Sequence, residues 1–388
     1  MQWADAVSTR PDFYEALEEC RGALKGRLTA APDLLLAFAS PHHAGHFDKV
    51  PEVLSDTLKP RLLAGCSGGG IIGSGREIEA HPGLSLVAAV LPEVSLRAAH
   101  VEEGDLPDPD ASPRAWVEKF GATGRPHFLI LADPFSFDPE DLARGLDYAF
   151  PSSTKVGGLA SGALRPGANA LFLDRRSWRS GAVVVTFNGN VEIDSIVAQG
   201  CRPVGPPFQV TQCERNLLIE IDGQRPLAVL EKMIESLSPE DRELVQSSLF
   251  IGLLNDSLKG TGDYLIRNLV GLDPKNGIIG VGAMLRPGQT LQFHVRDRVA
   301  SAQDLGRRLE AYSKESRLTR PQGALLFSCM GRGKGLYKRP DHDSELFLKT
   351  VGRIPLGGFF CNGEIGPVQG STYLHGYTSC FGIFRPAR

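Results

Sequence analysis

The chain has 388 residues, 42% of them hydrophobic and 22% charged, a globular composition whose length makes two lobes the default. A net charge of -3 leaves no basic excess to neutralise phosphates, which argues against a nucleic-acid partner. No apolar run reaches the roughly 18 residues of a membrane span, and Met1-Gln2-Trp3-Ala4-Asp5 opens no signal peptide, so a cytoplasmic protein without membrane insertion is expected.

The elements are read in chain order. Ser8-Thr9-Arg10-Pro11-Asp12 predicts a helix start with a hydroxyl cap, followed by Phe13, Leu17, Cys20, Leu24 and Leu28 at helical spacing. Residues 33–40 (DLLLAFAS) form an unbroken apolar run, hence a buried strand. Residues 46–60 carry Val50, Val53, Leu54 and Leu58 on one helical face. The glycine turn Gly65-Cys66-Ser67-Gly68-Gly69-Gly70 follows. Next come a hairpin around Gly73-Ser74-Gly75 and a strand at 84–91. The same order returns as a strand at 127–133, a helix capped by Asp138-Pro139, a glycine turn at 157–162 and a closing strand at 181–187. It returns again as a strand at 323–329, a helix at 344–351, a glycine turn at 357–363 and a closing strand at 380–384. Residues 249–254 with 277–284 read as a degenerate fourth copy.

This pattern predicts a mixed α/β fold of two lobes. Each is a layered sheet-and-helix domain built from two units of strand, helix, glycine turn and strand. Residues 200–207 (GCRPVGPP) break both periodicities and place the boundary, giving domains 1–204 and 205–388. Beyond it, 212–221 reads as a strand, 226–237 and 238–247 as helices, and Ser301-Ala302-Gln303-Asp304 as a capping-box start.

The glycine turns are the candidate ligand site, because uncovered amides make a concave anion seat. Cys66, Ser67, Gly68 and Gly69 form it in the first copy, with Ser161 in the second and Cys361 and Asn362 in the third. Arg332, after the strand ending at Cys329, can pair with Glu364 or with an anionic ligand. No Gly-Lys-Ser/Thr follows Gly70, so this is not a Walker loop, and the hairpin after Gly70 departs from a dinucleotide fingerprint. His42, His43 and His46 cluster after the first strand, but Pro41 and Gly45 mark a loop and no metal site is assigned. Haem held by one of these imidazoles or by His375 remains open. So does a cysteine hydrolase or transferase using Cys66 with His42 or His43, or Cys361 with His375. No catalytic set emerges. Seven scattered cysteines without a CxxC pair fit reduced thiols rather than a disulfide framework.

The ordered set Trp3-Ala4-Asp5-Ala6-Val7-Ser8, Ser40-Pro41-His42-His43-Ala44-Gly45, the turn at 65–73, residues 265–271 and 292–297, the turn at 357–367 and Leu374-His375-Gly376-Tyr377-Thr378 resembles the FIST family, N-terminal and C-terminal domains together. That resemblance implies a sensory input domain for small ligands such as amino acids, signalling through a separate protein. Some relatives are haem-based nitric-oxide sensors, and eukaryotic ones add an F-box, for which the residues before the first strand are too few here. The family brings no settled catalytic residues, so the site residues His43, Cys66, Ser67, Gly68, Gly69, Ser161, Arg332, Cys361, Asn362, Glu364 and His375 rest on the glycine-turn argument.

Overall fold

The structure is a computed structural model that describes residues 1–108, 111–254, 264–315 and 320–387. Two compact units divide the chain. One gathers Met1–Ala198, Gly306–Leu374 and Thr378–Arg388, and the other gathers Gln199–Leu305 and His375–Tyr377.

The first unit is one pattern written three times. Copy one runs β1 (Gln2–Ser8), α1 (Phe13–Leu24), β2 (Leu34–Ala39), α2 (Val50–Leu58), β3 (Leu62–Ser67), the hairpin β4 (Gly70–Gly73) and β5 (Arg76–Glu79), then β6 (Leu84–Val90). Copy two runs β7 (Val94–Val101), α3 (Pro113–Phe120), β8 (His127–Ala132), α4 (Pro139–Ala149), β9 (Lys155–Leu159), β10 (Leu171–Leu173), β11 (Arg176–Trp178) and β12 (Ala182–Gly189). Copy three opens with β13 (Glu192–Ala198). The second unit then intervenes, with β14 (Cys201–Glu214), β15 (Leu217–Ile221), α5 (Pro226–Ser236), α6 (Pro239–Ser247), β16 (Leu249–Leu254), β17 (Leu265–Asp273), β18 (Ile278–Val281) and β19 (Thr290–Arg296). Copy three resumes with α7 (Arg298–Glu315), β20 (Gly323–Cys329), α8 (Gly333–Tyr337), α9 (His342–Thr350), β21 (Leu356–Cys361), β22 (Glu364–Val368), β23 (Ser371–His375) and β24 (Ser379–Arg385).

In every copy the strands flanking the crossover helix are parallel neighbours: β2 with β3, β8 with β9 and β20 with β21. The closing strands β6, β12 and β24 return antiparallel beside the first of each pair. The hairpins leave their own sheets. That of copy one joins β21 of copy three, that of copy two joins β3 of copy one, and β22 of copy three joins β9 of copy two. Three six-stranded sheets result, each completed by a neighbour.

Both faces of these sheets are covered, which is why the parallel strands read as continuous apolar runs. Leu34, Leu36 and Phe38 of β2 enter a central core shared with Leu129, Leu131, Leu325 and Phe327. Leu35, Ala37 and Ala39 alternate to the opposite face, under Phe13, Leu17 and Leu54 of the helices. The close strand approach needs a missing side chain. Gly65, Gly157 and Gly358 stand opposite Ala37, Ile130 and Leu326, and a Cβ on any of them meets that residue's carbonyl oxygen. Gly157→Ala is therefore expected to cost about 1–3 kcal/mol through overpacking. An unchanged urea midpoint would show that the strands do not approach as described.

The second unit is a closed barrel, ordered β14-β15-β18-β17-β16-β19, around Ile251, Ile279, Leu291 and Phe293. Several expectations change here. Residues 249–254 and 277–284 are not a fourth copy, since β16 and β18 belong to the barrel, and the repeats number three within one unit rather than two per lobe. The compact units also differ from a single cut at 204/205, because the barrel is inserted between β13 and α7. Residues 201–207 lie in strand β14, whose register shifts between Pro203 and Pro207, where proline withholds ladder donors. Residues 212–221 are two strands with Arg215 turning at positive φ, not one. Helix α1 is capped by Asp12, whose carboxylate accepts from Tyr14 and Glu15, and Ser8 ends a strand. Helix α7 starts at Arg298, where Asp297 accepts from the amides of Val299 and Ala300, ahead of the expected Ser301 start. The expected hairpin is present, with Ser74 and Gly75 at φ 51° and 77°, the pair of positive values a two-residue turn requires. No helix among the described residues is long and apolar enough to cross a membrane.

Candidate functional site

The three glycine turns meet, and hydrogen bonds tie their backbones to one another. The Ser161 amide donates to the Ser67 carbonyl at 3.2 Å, and the Asn362 amide donates to the Leu159 carbonyl at 3.2 Å. The Gly69 amide donates to Ser161 Oγ at 2.8 Å, which donates in turn to the Phe360 carbonyl. Gly68 donates to the Ala39 carbonyl at 3.0 Å, and Ser67 Oγ accepts from the Ala170 amide at 3.1 Å. The amides expected to hold an anion are thus already bonded. A Cβ on Gly68 meets Phe359, and one on Gly69 meets Met330. Ser67, Gly68, Gly69, Ser161 and Asn362 are brought together as one hydrogen-bonded junction, with Asn362 exposed at its surface.

The paired nucleophile readings fare no better. Cys66 is fully buried in the central core, and burial pushes its thiol well above the ordinary range. His43 lies on the opposite, helix-facing side, edge-on to Phe13 at 5.9 Å, with neither ring nitrogen hydrogen-bonded. Burial, reinforced by His42 and His46, lowers its pKa. Cys361 donates to the Ser328 carbonyl at 3.3 Å and to Glu364 at 3.6 Å. Burial, with the Glu364 carboxyl beside it, raises that thiol as well. An activated thiolate requires the reverse. His375 ends β23, is buried, and counts with the barrel unit.

The repeat supplies an internal reference for what the fold itself demands. Counting from the tight glycines, Ser328 occupies the position held by Ala39 and Ala132, and the residue paired across from it is Ser379 where the other copies have Leu84 and Ala182. On the hairpins, Glu364 stands where copies one and two place Ile71 and Leu171. Thr378 replaces Gly83 and Gly181, whose carbonyls accept the equivalent strand-end amide of Ser40 and Asp133, as Thr378 does from Cys329. Two copies meet these positions with apolar or minimal side chains, so the buried polar set of copy three is not imposed by the architecture.

That set has defined partners. Arg332, only 1% exposed, forms a fork onto Asp343 through Nε and Nη2 at 2.7 and 3.2 Å, and Nη2 also donates to the Tyr337 hydroxyl at 2.6 Å. Glu364, the expected partner, lies within electrostatic reach of the Arg332 charge, while the fork itself goes to Asp343. Asp343 comes from the first turn of α9 and lies close enough to take the bidentate contact. Asp343 also accepts from Ser379, and His342 Nδ1 lies 2.8 Å away. Because an ionised carboxylate only accepts, that nitrogen carries the proton. The His342 ring stacks on Tyr337 at 3.5 Å. Burial alone would raise the Asp343 carboxyl, but the Arg332 charge and the hydrogen bonds outweigh it and hold the group well below the usual carboxylate range. Glu364 has the opposite outcome. Burial pushes it up to about 8, against hydrogen bonds from the Thr378 amide and hydroxyl at 3.0 and 2.8 Å.

Glu77, on the hairpin lent by copy one, completes the group. Its carboxylate accepts from the Ser344 amide and hydroxyl, each at 2.8 Å. Burial and the nearby Asp343 raise its pKa. Glu77 also floors a cleft of about 480 Å³ lined by Arg76, Glu79, His81, Lys334 and Asp341. Glu79 accepts from the Lys334 amide at 2.7 Å, and Asp341 accepts from the Glu77 amide. The cleft therefore sets three acids beside two fixed cations and a histidine. Sequence reasoning found Arg332 and Glu364 but missed Glu77, Asp341 and Asp343. The only local signal was His342-Asp343-Ser344 opening a helix, and the contact to Glu77 spans more than 260 positions.

Residues 33–224 match the FIST N domain and residues 226–367 the FIST C domain. The "Uncharacterized protein Rv0628c" of Mycobacterium tuberculosis is 35% identical over 383 residues, 97% of this chain and 98% of its own. The "Uncharacterized protein Mb0898c" of Mycobacterium bovis is 36% identical over 386 residues, 97% of each. An Arabidopsis thaliana "F-box/LRR-repeat protein At5g63520" shares 23% identity over 308 residues, 67% of this chain and 58% of its own. The chain, matched along most of its length by both domains, belongs to the FIST family.

Proposed function

We propose that this chain is a sensory module that binds a small zwitterionic metabolite, an amino acid or a close relative, in the cleft over Glu77 and signals through a separate protein. FIST domains are associated with sensory roles in signal transduction, which supports the general class. The observation that carries the ligand class is the lining of the cleft. Glu79 and Asp341 suit an ammonium group, while Lys334 and Arg76 suit a carboxylate, in a space of about 480 Å³. The ligand seat moves accordingly from the glycine junction, whose amides are occupied, to this neighbouring cleft. Output follows from the same residues, because Glu77 and Asp341 hold α9 and through it the Arg332–Asp343 pair.

A thermal-shift panel tests this with three sets of compounds: α-amino acids, the matching amines without a carboxylate, and the matching acids without an ammonium. Saturable stabilisation is expected only from compounds carrying both charges, reaching about 3 kcal/mol at a hundredfold excess over Kd. Lys334→Ala is expected to weaken binding about tenfold by removing one charge-assisted contact. A panel with no shift, or an undiminished shift in the variant, rejects the cleft as the seat.

A further inference from the structure

We propose that Cys329 and Cys361 form a hydroperoxide-responsive thiol pair that closes to a disulfide in copy three. The two residues are partners in register on the parallel strands β20 and β21, so their side chains leave the same face. Neighbouring strands lie about 4.8 Å apart, within the roughly 4.4–6.8 Å Cα separation that disulfides span. The two thiols are close enough to perturb each other electrostatically, and both are reduced in this structure.

The surroundings differ in a useful way. Cys329 is partly exposed at the end of its strand, receives the Gly331 amide at 3.5 Å, and lies within electrostatic reach of the Arg332 guanidinium. These features set Cys329 apart from the fully buried Cys361 as the sulfur that a hydroperoxide reaches first. Cys361 is buried and directs its proton at Glu364. Copies one and two put Ser40 with Gly68, and Asp133 with Ala160, at the same two positions, so the fold needs no thiol at either. Cys380 is also buried, but it lies on the opposite side of β20 and donates to the Ile365 carbonyl at 3.1 Å.

The chemistry balances with one equivalent of hydroperoxide. The Cys329 thiolate attacks one peroxide oxygen, an S–O bond forms as the O–O bond breaks, and the departing alkoxide takes a proton to leave as alcohol. The Cys361 sulfur then attacks Cys329 while its proton passes to Glu364 in its ionised form, which becomes populated as pH approaches 8, and hydroxide leaves to be protonated to water. Two thiols and one hydroperoxide become one disulfide, one alcohol and one water.

The test uses the full chain treated with a few molar equivalents of hydrogen peroxide, alkylated, digested and mapped by mass spectrometry. A single cross-linked peptide pair containing Cys329 and Cys361, reversed by dithiothreitol, is expected. Cys361→Ser is expected to stop at a dimedone-trapped sulfenic acid on Cys329. Glu364→Gln is expected to form that sulfenic acid normally and close the disulfide roughly 10²-fold more slowly. Recovery of both residues as alkylated thiols after treatment overturns the pair, as does cross-linking of Cys329 to Cys380 or Cys201 instead. The wild-type map stands even if a variant fails to fold, and it is independent of the ligand panel.

Discussion

Replacing Arg332 by methionine is expected to lower the unfolding free energy by about 3–5 kcal/mol, read as a shift in the urea midpoint. Arg332 and Asp343 are each 1% exposed, and the fork between them is the main compensation for burying the carboxylate. Without the guanidinium, Asp343 retains Ser379 and His342 but no permanent positive partner. The loss is therefore the cost of a stranded charge more than the net strength of the pair. Removing both charges together, as Arg332→Met with Asp343→Leu, is expected to recover most of that loss, because buried ion pairs rarely outperform well-packed apolar groups. A single variant that loses less than about 1 kcal/mol would falsify the buried pair as a structural element.

Stability is expected to fall as pH rises from about 6.5 to 8, the reverse of the usual carboxylate trend; below that window the buried His127 and His294, held down to about 4 by desolvation, act with the opposite sign. Burial raises Glu364 from an ordinary 4.5 to about 8, so the folded state holds a proton that the unfolded chain has released across that window. A raised folded pKa gives stability that is complete below 4.5 and is lost as pH passes through 8. One such proton contributes a slope approaching about 1 kcal/mol per pH unit. Glu77 acts with the same sign, through burial and then Asp343. Asp343 acts with the opposite sign, and its contribution is lost only in acid, below the ordinary carboxylate range. Urea midpoints at pH 6.5, 7, 7.5 and 8 should descend for the native chain and descend less steeply for Glu364→Gln, in which Glu77 still titrates. A flat native profile would mean that Glu364 is ionised throughout.

How much of this was legible depends on distance along the chain. The strands Leu34–Ala39, His127–Ala132 and Gly323–Cys329 announce themselves, because burial on both faces leaves five to seven consecutive small or apolar residues. The crossover helices and glycine turns between them are equally local, so the repeat could be found. Its count could not, because β16 and β18 carry the same apolar composition in a barrel. Nothing in residues 70–79 says that this hairpin completes a sheet begun near residue 323, since register with β21 is set by tertiary packing. The site failed for the same reason. Glycine marked where backbones approach closely, but the neighbour was another turn of the protein rather than a ligand. Glu77 looked like an ordinary solvent-facing residue of a hairpin until Ser344 covered it.

The lending of hairpins around the ring has a consequence for divisibility. No third of the first unit owns a finished sheet, because the strand pair beside its second parallel strand always arrives from elsewhere in the sequence. A polypeptide carrying one third alone would expose the bare edge of β3, β9 or β21 and dangle an unclaimed ribbon. Both needs are met here because the three thirds close on one another, each clasping the next. That closure lies within one molecule, which leaves each of its thirds at liberty to differ from the other two.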